Sequence, residues 1–152
     1  MYNSKIEKLP LEELRALQNK RLSSLVKRVY ETVPFYKKQL NDFGIHPSDI
    51  QTVEDLHKLP FTKKIDLRDN YPYKMFAKPM NEIARIHASS GTTGKPTVVG
   101  YTKKDLDIFD EVVARSLMCA GARPGMKLHN AYGYGLCLPE DLECMAELPK
   151  WA

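Results

Sequence analysis

Residues 83–101 constrain the fold of this chain most, because their pattern predicts a strand, a glycine-rich turn and a second strand. Ile83 to Ala88 and the run Thr-Val-Val-Gly-Tyr from Thr97 to Tyr101 both have strand-like composition. Between them lies Ser89-Ser-Gly-Thr-Thr-Gly-Lys95, whose glycines allow the backbone to turn sharply. The sequence therefore predicts a strand–loop–strand unit in which the two strands form a hairpin.

The connecting segment has the chemistry of a phosphate-binding loop. Glycines let backbone N–H groups point inward, hydroxyls donate hydrogen bonds to phosphate oxygens, and Lys95 supplies a positive charge. The simpler interpretation is a solvated turn, since Ser, Thr and Gly are common turn residues. Both interpretations remain open from composition alone.

The segment is not a Walker A loop. That motif has the pattern G-x-x-x-x-G-K-[ST] and opens a helix whose N-terminus helps to hold the phosphates. Ser89 occupies the position of the first glycine, and Lys95 is followed by Pro96 and a strand pattern. A loop that covers a triphosphate fits this arrangement better than a helix-capping cradle.

The first 80 residues are predicted to be mainly helical. Apolar residues recur with a helical period from Leu11 to Val33, and Pro34 ends that helix and begins a shorter one that Gly44 closes. The periodic apolar positions are 11, 14, 22, 25, 26, 29 and 33. Short helical turns are predicted at 48–50, at 53–59 and at 62–69, the last with Thr62 as N-cap.

After residue 80 the pattern becomes α/β. Thr102 is predicted to cap a helix whose apolar residues Leu106, Phe109, Val113 and Leu117 form a buried stripe, and Gly121 is predicted to end it. Arg123-Pro-Gly is a turn, and residues 127–132 are predicted to form a parallel strand before the glycine-rich Tyr-Gly-Tyr-Gly. The predicted fold class is α/β with a helical N-terminal region.

Composition excludes several classes of function. The net charge of +4 comes from basic residues scattered among acidic ones, which argues against a nucleic-acid-binding surface. The 3 cysteines lack C-x-x-C spacing, and the 4 histidines lack a metal-ligand pattern. No apolar run approaches the roughly 20 residues that span a bilayer. We expect a soluble, cytoplasmic protein without zinc, membrane or nucleic-acid partners.

The order S-S-G-T-T-G-K-P resembles the phosphate-loop signature of the adenylate-forming superfamily. Its flanks narrow the resemblance to the phenylacetate–coenzyme A ligase family. The segments that carry it are Val33-Pro-Phe-Tyr36, Leu59 to Lys64, Asp66 to Pro72, Arg85 to Thr102, and His129-Asn-Ala-Tyr-Gly-Tyr-Gly-Leu136. The resemblance extends from about residue 5 to residue 136, and residues 1–136 are expected to be the N-terminal portion of such a ligase's large domain, helical to residue 80 and α/β over 81–136.

The resemblance implies a set of site residues and ligands. The ATP-binding residues would be Ser89, Ser90, Gly91, Thr92, Thr93, Gly94 and Lys95, with Lys95 also the catalytic candidate. Tyr132 and, less strongly, Tyr134 would line the aryl-acid pocket. Members of the family use ATP, Mg²⁺ and coenzyme A, and the resemblance places the Mg²⁺ ligands outside this chain. His87 and His129 are interpreted as structural residues.

Residues 137–152 do not continue the resemblance. Family members follow Tyr-Gly-Leu with a Phe-Thr-Gly-Gly-Leu-Gly type of segment, and codons compatible with the tail from Cys137 onwards permit that segment in a shifted reading frame. We therefore expect an out-of-frame tail on a truncated ligase, inactive alone, with exposed apolar surface that promotes self-association. The alternative is a non-catalytic nucleotide-binding or subunit-interaction module that acts with a separately encoded remainder.

Overall fold

The computed structural model describes residues 2–89, 96–127 and 129. In chain order, these residues form α1 (Ser4–Glu7), α2 (Leu11–Thr32), α3 (Pro34–Asp42), two 3-10 turns (Pro47–Asp49 and Val53–Lys58), α4 (Lys64–Asp69), a third 3-10 turn (Met80–Glu82), β1 (Ile83–Ser89), β2 (Thr97–Thr102) and α5 (Lys103–Cys119). The fold is α/β with a helical N-terminal region, as predicted.

The long helix α2 ends where the sequence predicts. Val33 is extended, as a residue before proline prefers to be, and Pro34 occupies the first turn of α3. Gly44 follows α3 with φ of 67°, and the N–H of Ile45 donates to the Leu40 carbonyl at 2.9 Å. A left-handed residue at this position lets the chain turn back across α2.

The hydrophobic core of the helical half lies between α2, α3 and the first 3-10 turn. Val26, Leu40 and Ile50 form its buried centre, and partly buried apolar side chains surround them: Leu22, Tyr30, Ile45 and Leu59. The predicted apolar stripe on α2 was wrong at two positions, because Leu11 and Leu25 are 69% and 45% exposed. Helical periodicity identifies the buried side of α2 but not how far the neighbouring elements cover it.

The start of α4 corrects another prediction. Lys63, not Thr62, occupies the N-cap position, and the Asp66 carboxylate accepts a hydrogen bond from the Lys63 N–H at 2.6 Å. The Thr62 hydroxyl instead donates to the Tyr36 hydroxyl at 3.2 Å. This bond joins the α4 region to α3, which explains why the threonine is not available as a cap.

Strands β1 and β2 form an antiparallel pair, which confirms the predicted hairpin pairing. Partners run from Ser89 opposite Thr97 to Arg85 opposite Tyr101, after which one extra residue in β1 shifts Ile83 opposite Thr102. Such a bulge bends the strand and increases its twist. Helix α5 follows β2 without a connecting residue, so the hairpin and α5 form one continuous unit.

Helix α5 is capped as predicted, but the predicted buried stripe was wrong at Phe109. Ala114 is fully buried, whereas Phe109, predicted to lie in the core, is 46% exposed. Gly121 follows the helix with φ of 103°, in agreement with the predicted stop. Of the predicted strand 127–132, only Lys127 and His129 are described, and neither is in a strand.

Candidate phosphate-binding site

The candidate site lies at the end of the hairpin where the glycine-rich segment joins β1 to β2. Ser89, the last residue of β1, lies opposite Thr97, the first residue of β2. The two ends of the predicted phosphate loop are therefore cross-strand neighbours. The predicted residues Ser90, Gly91, Thr92, Thr93, Gly94 and Lys95 lie outside the described residues, as do Tyr132 and Tyr134.

One face of the hairpin is held by a close aromatic contact. By register, Gly100 lies opposite Ile86, and a Cβ built on Gly100 would come within 2.5 Å of the Phe76 ring atom Cε2. The Phe76 ring also contacts Tyr73, at 5.3 Å between ring centroids. Because Gly100 has no side chain, the ring packs directly on the backbone of the strand that leaves the loop. Sequence analysis missed this pair, although a glycine inside a strand pattern often marks such an approach.

The other face carries a row of aromatic rings. The His87 ring lies 4.9 Å from the Tyr101 ring, and Tyr101 lies 6.2 Å from Phe109 of α5 in an edge-on arrangement. Offset and edge-on ring pairs are favourable geometries. The His87 ring thus packs on Tyr101 on this face of the strand pair, and Tyr101 in turn joins the hairpin to α5.

The start of α5 forms a capping box next to the hairpin. The Asp105 carboxylate accepts from the Thr102 hydroxyl at 2.7 Å and from the Thr102 N–H at 2.9 Å, and the Asp105 N–H donates to the Thr102 hydroxyl at 3.3 Å. These bonds, the hydroxyl's first, lower the pKa of Asp105. The ionised carboxylate holds the junction between β2 and α5 in one geometry.

The N-terminal segment is also tied to α5. The Asn3 side-chain amide donates to the Glu111 carboxylate at 2.8 Å, and Arg115 lies 3.5 Å from the Glu7 carboxylate. An open surface depression between these two segments is lined in part by Lys5, Asp107 and Asp110. None of the described hairpin residues lines it, so we do not assign it to the phosphate site.

Residues 2–89, 96–127 and 129 contain neither a cluster of metal ligands nor a membrane-spanning helix. Within those ranges, no group of 3 or more His, Cys, Asp or Glu side chains is placed to hold a metal ion. The helices found there include none that is both long and apolar enough to cross a membrane.

Comparison with known proteins identifies relatives of this chain. A search of protein-family profiles found no match. The chain is, however, 65% identical over 136 residues to a phenylacetate-coenzyme A ligase of Thermus thermophilus, a match that covers 90% of this chain. It is 55% identical over 131 residues to a ligase of the same name from Escherichia coli. This chain is a homologue of the phenylacetate–coenzyme A ligases.

The matched part is a minor share of those ligases. The chain spans 31% of the length of the Thermus thermophilus ligase and 30% of the Escherichia coli one. The phenylacetate–coenzyme A ligase resemblance inferred from the sequence is therefore confirmed for most of this chain and for about a third of each relative.

Solved structures give the same result for the fold. A 2-hydroxyisobutyryl-CoA ligase in complex with 2-HIB-AMP and CoA superposes with a TM-score of 0.70 and 32% identity, over 77% of this chain and 26% of that ligase. An open conformation of the same ligase, also with 2-HIB-AMP and CoA, gives a TM-score of 0.67. This homologue of the phenylacetate–coenzyme A ligases therefore shares the fold of that CoA ligase over the matched part.

Proposed function

We propose that residues 1–136 form the N-terminal portion of the large domain of an ATP-dependent aryl-acid–coenzyme A ligase. The complete reaction would convert phenylacetate, ATP and coenzyme A into phenylacetyl-coenzyme A, AMP and diphosphate. The observation that carries the proposal is the 65% identity to the Thermus thermophilus ligase, together with the antiparallel pair that brackets the glycine-rich segment.

The chemistry of the segment suits the first step of this reaction. A substrate carboxylate oxygen forms a bond to the α-phosphorus, and the bond from that phosphorus to the bridging oxygen breaks, releasing diphosphate. Negative charge builds on the β- and γ-phosphates as they leave. Backbone N–H groups, the hydroxyls of Ser89, Ser90, Thr92 and Thr93, and the Lys95 ammonium are donors that stabilise such charge.

The ligands that the resemblance implies fit the residues of this chain unequally. Amide, hydroxyl and ammonium donors fit a polyphosphate, whereas the described residues show no carboxylate cluster for Mg²⁺. We propose that the Mg²⁺ and coenzyme A sites belong to the part of the ligases that this chain does not match. Tyr132 and Tyr134 are proposed to line the aryl-acid pocket, and the proposed location is the cytoplasm.

We further propose that residues 137–152 are an out-of-frame tail and that the 152-residue chain is inactive alone. The Thermus thermophilus match covers 136 of the 152 residues, the length expected if the tail lies outside the family. Sequencing the DNA on both sides of codon 137 tests this directly. Absence of a ligase-like continuation in the alternative frame would show the tail proposal to be wrong.

A chimera tests the proposed function itself. Residues 1–136 of this chain would replace the matching part of the Thermus thermophilus ligase, and phenylacetate-dependent ATP–pyrophosphate exchange would be measured beside the parent enzyme. We expect exchange within about tenfold of the parent, which corresponds to a change of at most about 1.4 kcal/mol in the activation barrier. A chimera that folds, as judged by circular dichroism, but shows no exchange would refute the proposal.

A further inference from the structure

The hairpin and α5 bury little of their own apolar surface. Among the described residues after Ile50, Ala114 is the only buried side chain. Apolar and aromatic residues nevertheless occupy both sides of the strand pair, with Ile86 and Val98 on one side and Val99 and Tyr101 on the other. Strands with two apolar faces are typical of sheets that are covered on both sides.

Four exposed side chains mark where this cover is missing. Val99 is 44% exposed, Phe109 46%, and Ile108 and Val112 52% each. Ile108 and Val112 are neighbours by their helical spacing of four, as are Phe109 and Val112 by a spacing of three. We call these residues the hairpin–α5 face.

The comparisons indicate what covers this face. A ligase about three times as long contains the same fold with a TM-score of 0.70, and the matched 77% of this chain covers 26% of that ligase. A hairpin and helix with so little core are stable when further chain packs on them, because an isolated two-stranded sheet is marginal in water. We therefore take the part of the ligase that this chain does not match as the partner that covers the face.

A second copy of the chain fits the face less well. Helix α5 carries four acidic residues, Asp105, Asp107, Asp110 and Glu111, of which Asp107, Asp110 and Glu111 flank the apolar positions; its three basic residues, Lys103, Lys104 and Arg115, lie nearer its ends. A two-fold interface through this helix would place these acidic groups close to their own copies, and like charges across an interface are unfavourable.

We infer that the hairpin–α5 face binds the ligase segment that the sequence matches leave uncovered, and that it does so non-covalently when that segment is supplied as a second polypeptide. This inference rests on the proposed function, because it assumes that the chain keeps the packing surfaces of a ligase. Self-association through the same face is expected to be weaker and to be displaced when the partner is present.

Co-expression provides the first test. The full 152-residue chain, carrying an affinity tag, would be produced with the Thermus thermophilus ligase lacking its matched residues. We expect the unsubstituted chain to form a one-to-one complex with it. The dissociation constant should be at least tenfold higher for the double variant Ile108→Asp, Val112→Asp. The matched control is Phe43→Asp, which replaces a side chain that is 65% exposed in the helical half and should leave the complex intact.

Three results would overturn the inference: no complex with the unsubstituted chain, equal binding by the double variant, or a homodimer of the chain that persists with an equimolar amount of the second polypeptide. Circular dichroism of each variant would establish that it remains folded.

Cysteine labelling gives a second test that does not require the second polypeptide to fold alone. With all other cysteines replaced by Ser, because Cys119 is exposed and would also react, Ile108→Cys would be labelled by maleimide in the full chain and in the covalent chimera described above. We expect labelling to be at least tenfold slower in the chimera, and equal rates would contradict the inference. An active chimera without a complex in trans would refute only this inference, whereas a complex in trans with an inactive chimera would refute only the proposed function.

Discussion

The ring of Phe76 fills the space that a side chain on Gly100 would occupy, with only 2.5 Å between a built Cβ and the nearest ring atom. Gly100 lies three residues after Thr97, where the strand that follows the predicted phosphate loop begins. The contact therefore fixes one face of the hairpin to the turn after α4. The contact depends on the free space beside the backbone and not on an unusual backbone conformation, since Gly100 is not among the glycines with positive φ.

A double-mutant cycle should show that these two residues are coupled. Gly100→Ala is expected to lower the free energy of unfolding by about 1–3 kcal/mol, because the new methyl displaces the ring. In a Phe76→Ala background the same change should cost less, with a coupling of about 1 kcal/mol. Urea unfolding followed by circular dichroism measures both values.

The control for that cycle is Gly44→Ala. An added Cβ at Gly44 has no neighbour within 4 Å, but its φ of 67° is unfavourable for alanine. We expect a loss of about 1 kcal/mol that is the same with and without Phe76. Equal coupling of both glycines to Phe76 would mean that the ring acts through overall stability and not through contact with Gly100.

The capping box at the start of α5 should contribute measurably to stability. Asp105→Ala removes the acceptor for the Thr102 N–H and hydroxyl, and the loss of such a cap costs about 1 kcal/mol. Asp107→Ala, on the same helix outside the box, is expected to change the free energy of unfolding by less than about 0.5 kcal/mol. Equal effects of the two substitutions in urea unfolding would show that helix charge, not capping, is responsible.

Acid should weaken the 3-10 turn around Asp55. The Lys58 ammonium at 2.6 Å, followed by the N–H groups of Thr52 and Gln51, lowers the pKa of the Asp55 carboxyl. A group whose pKa is lower in the folded state stabilises the fold above its unfolded-state pKa of about 3.9 and loses that effect as pH falls towards the folded value. Stability should therefore decline on acidification below about pH 4.

Asp55→Asn isolates this contribution. The variant should be less stable than the unsubstituted chain at neutral pH and should show a smaller decline below about pH 4. Asp42→Asn, at an exposed ion pair with Lys38, is the matched control and should change little, since such pairs contribute about 0–1 kcal/mol. If the free energy of unfolding of Asp55→Asn and of the unsubstituted chain fell equally on acidification, Asp55 would not be the group responsible for the decline.

The sequence predicts the local structure of this chain better than its packing. Pro34, Gly44, Thr102 and Gly121 act through their own backbone or a neighbour in the chain, so their roles were evident before the fold was known. Phe109 is different, because its burial depends on what covers α5, and periodicity contains no information about that cover.

The same distinction applies to the site. Loop chemistry and flanking strands follow from residues 83–101, and the hairpin pairing was confirmed. The contact of Phe76 with Gly100 joins positions far apart in the pattern, and only Gly100 gave a local signal of it. The phosphate-binding roles of residues 89–95 and the pocket roles of Tyr132 and Tyr134 remain predictions.

The charge of Lys95 should matter for adenylation and not for folding. In the active chimera, Lys95→Ala is expected to lower kcat/KM for ATP in the exchange reaction by roughly 100-fold, the usual cost of removing one donor from developing negative charge. A fall in kcat at constant KM would place the interaction in the transition state, whereas a rise in KM alone would indicate ground-state binding. Lys95→Arg should recover part of the rate, because it keeps the charge but not the compact ammonium geometry.

The matched control is Lys104→Ala, which removes an exposed lysine from the first turn of α5. If Lys95→Ala and Lys104→Ala have the same exchange rate as the chimera itself, the glycine-rich segment is a solvated turn and the phosphate-binding role is wrong.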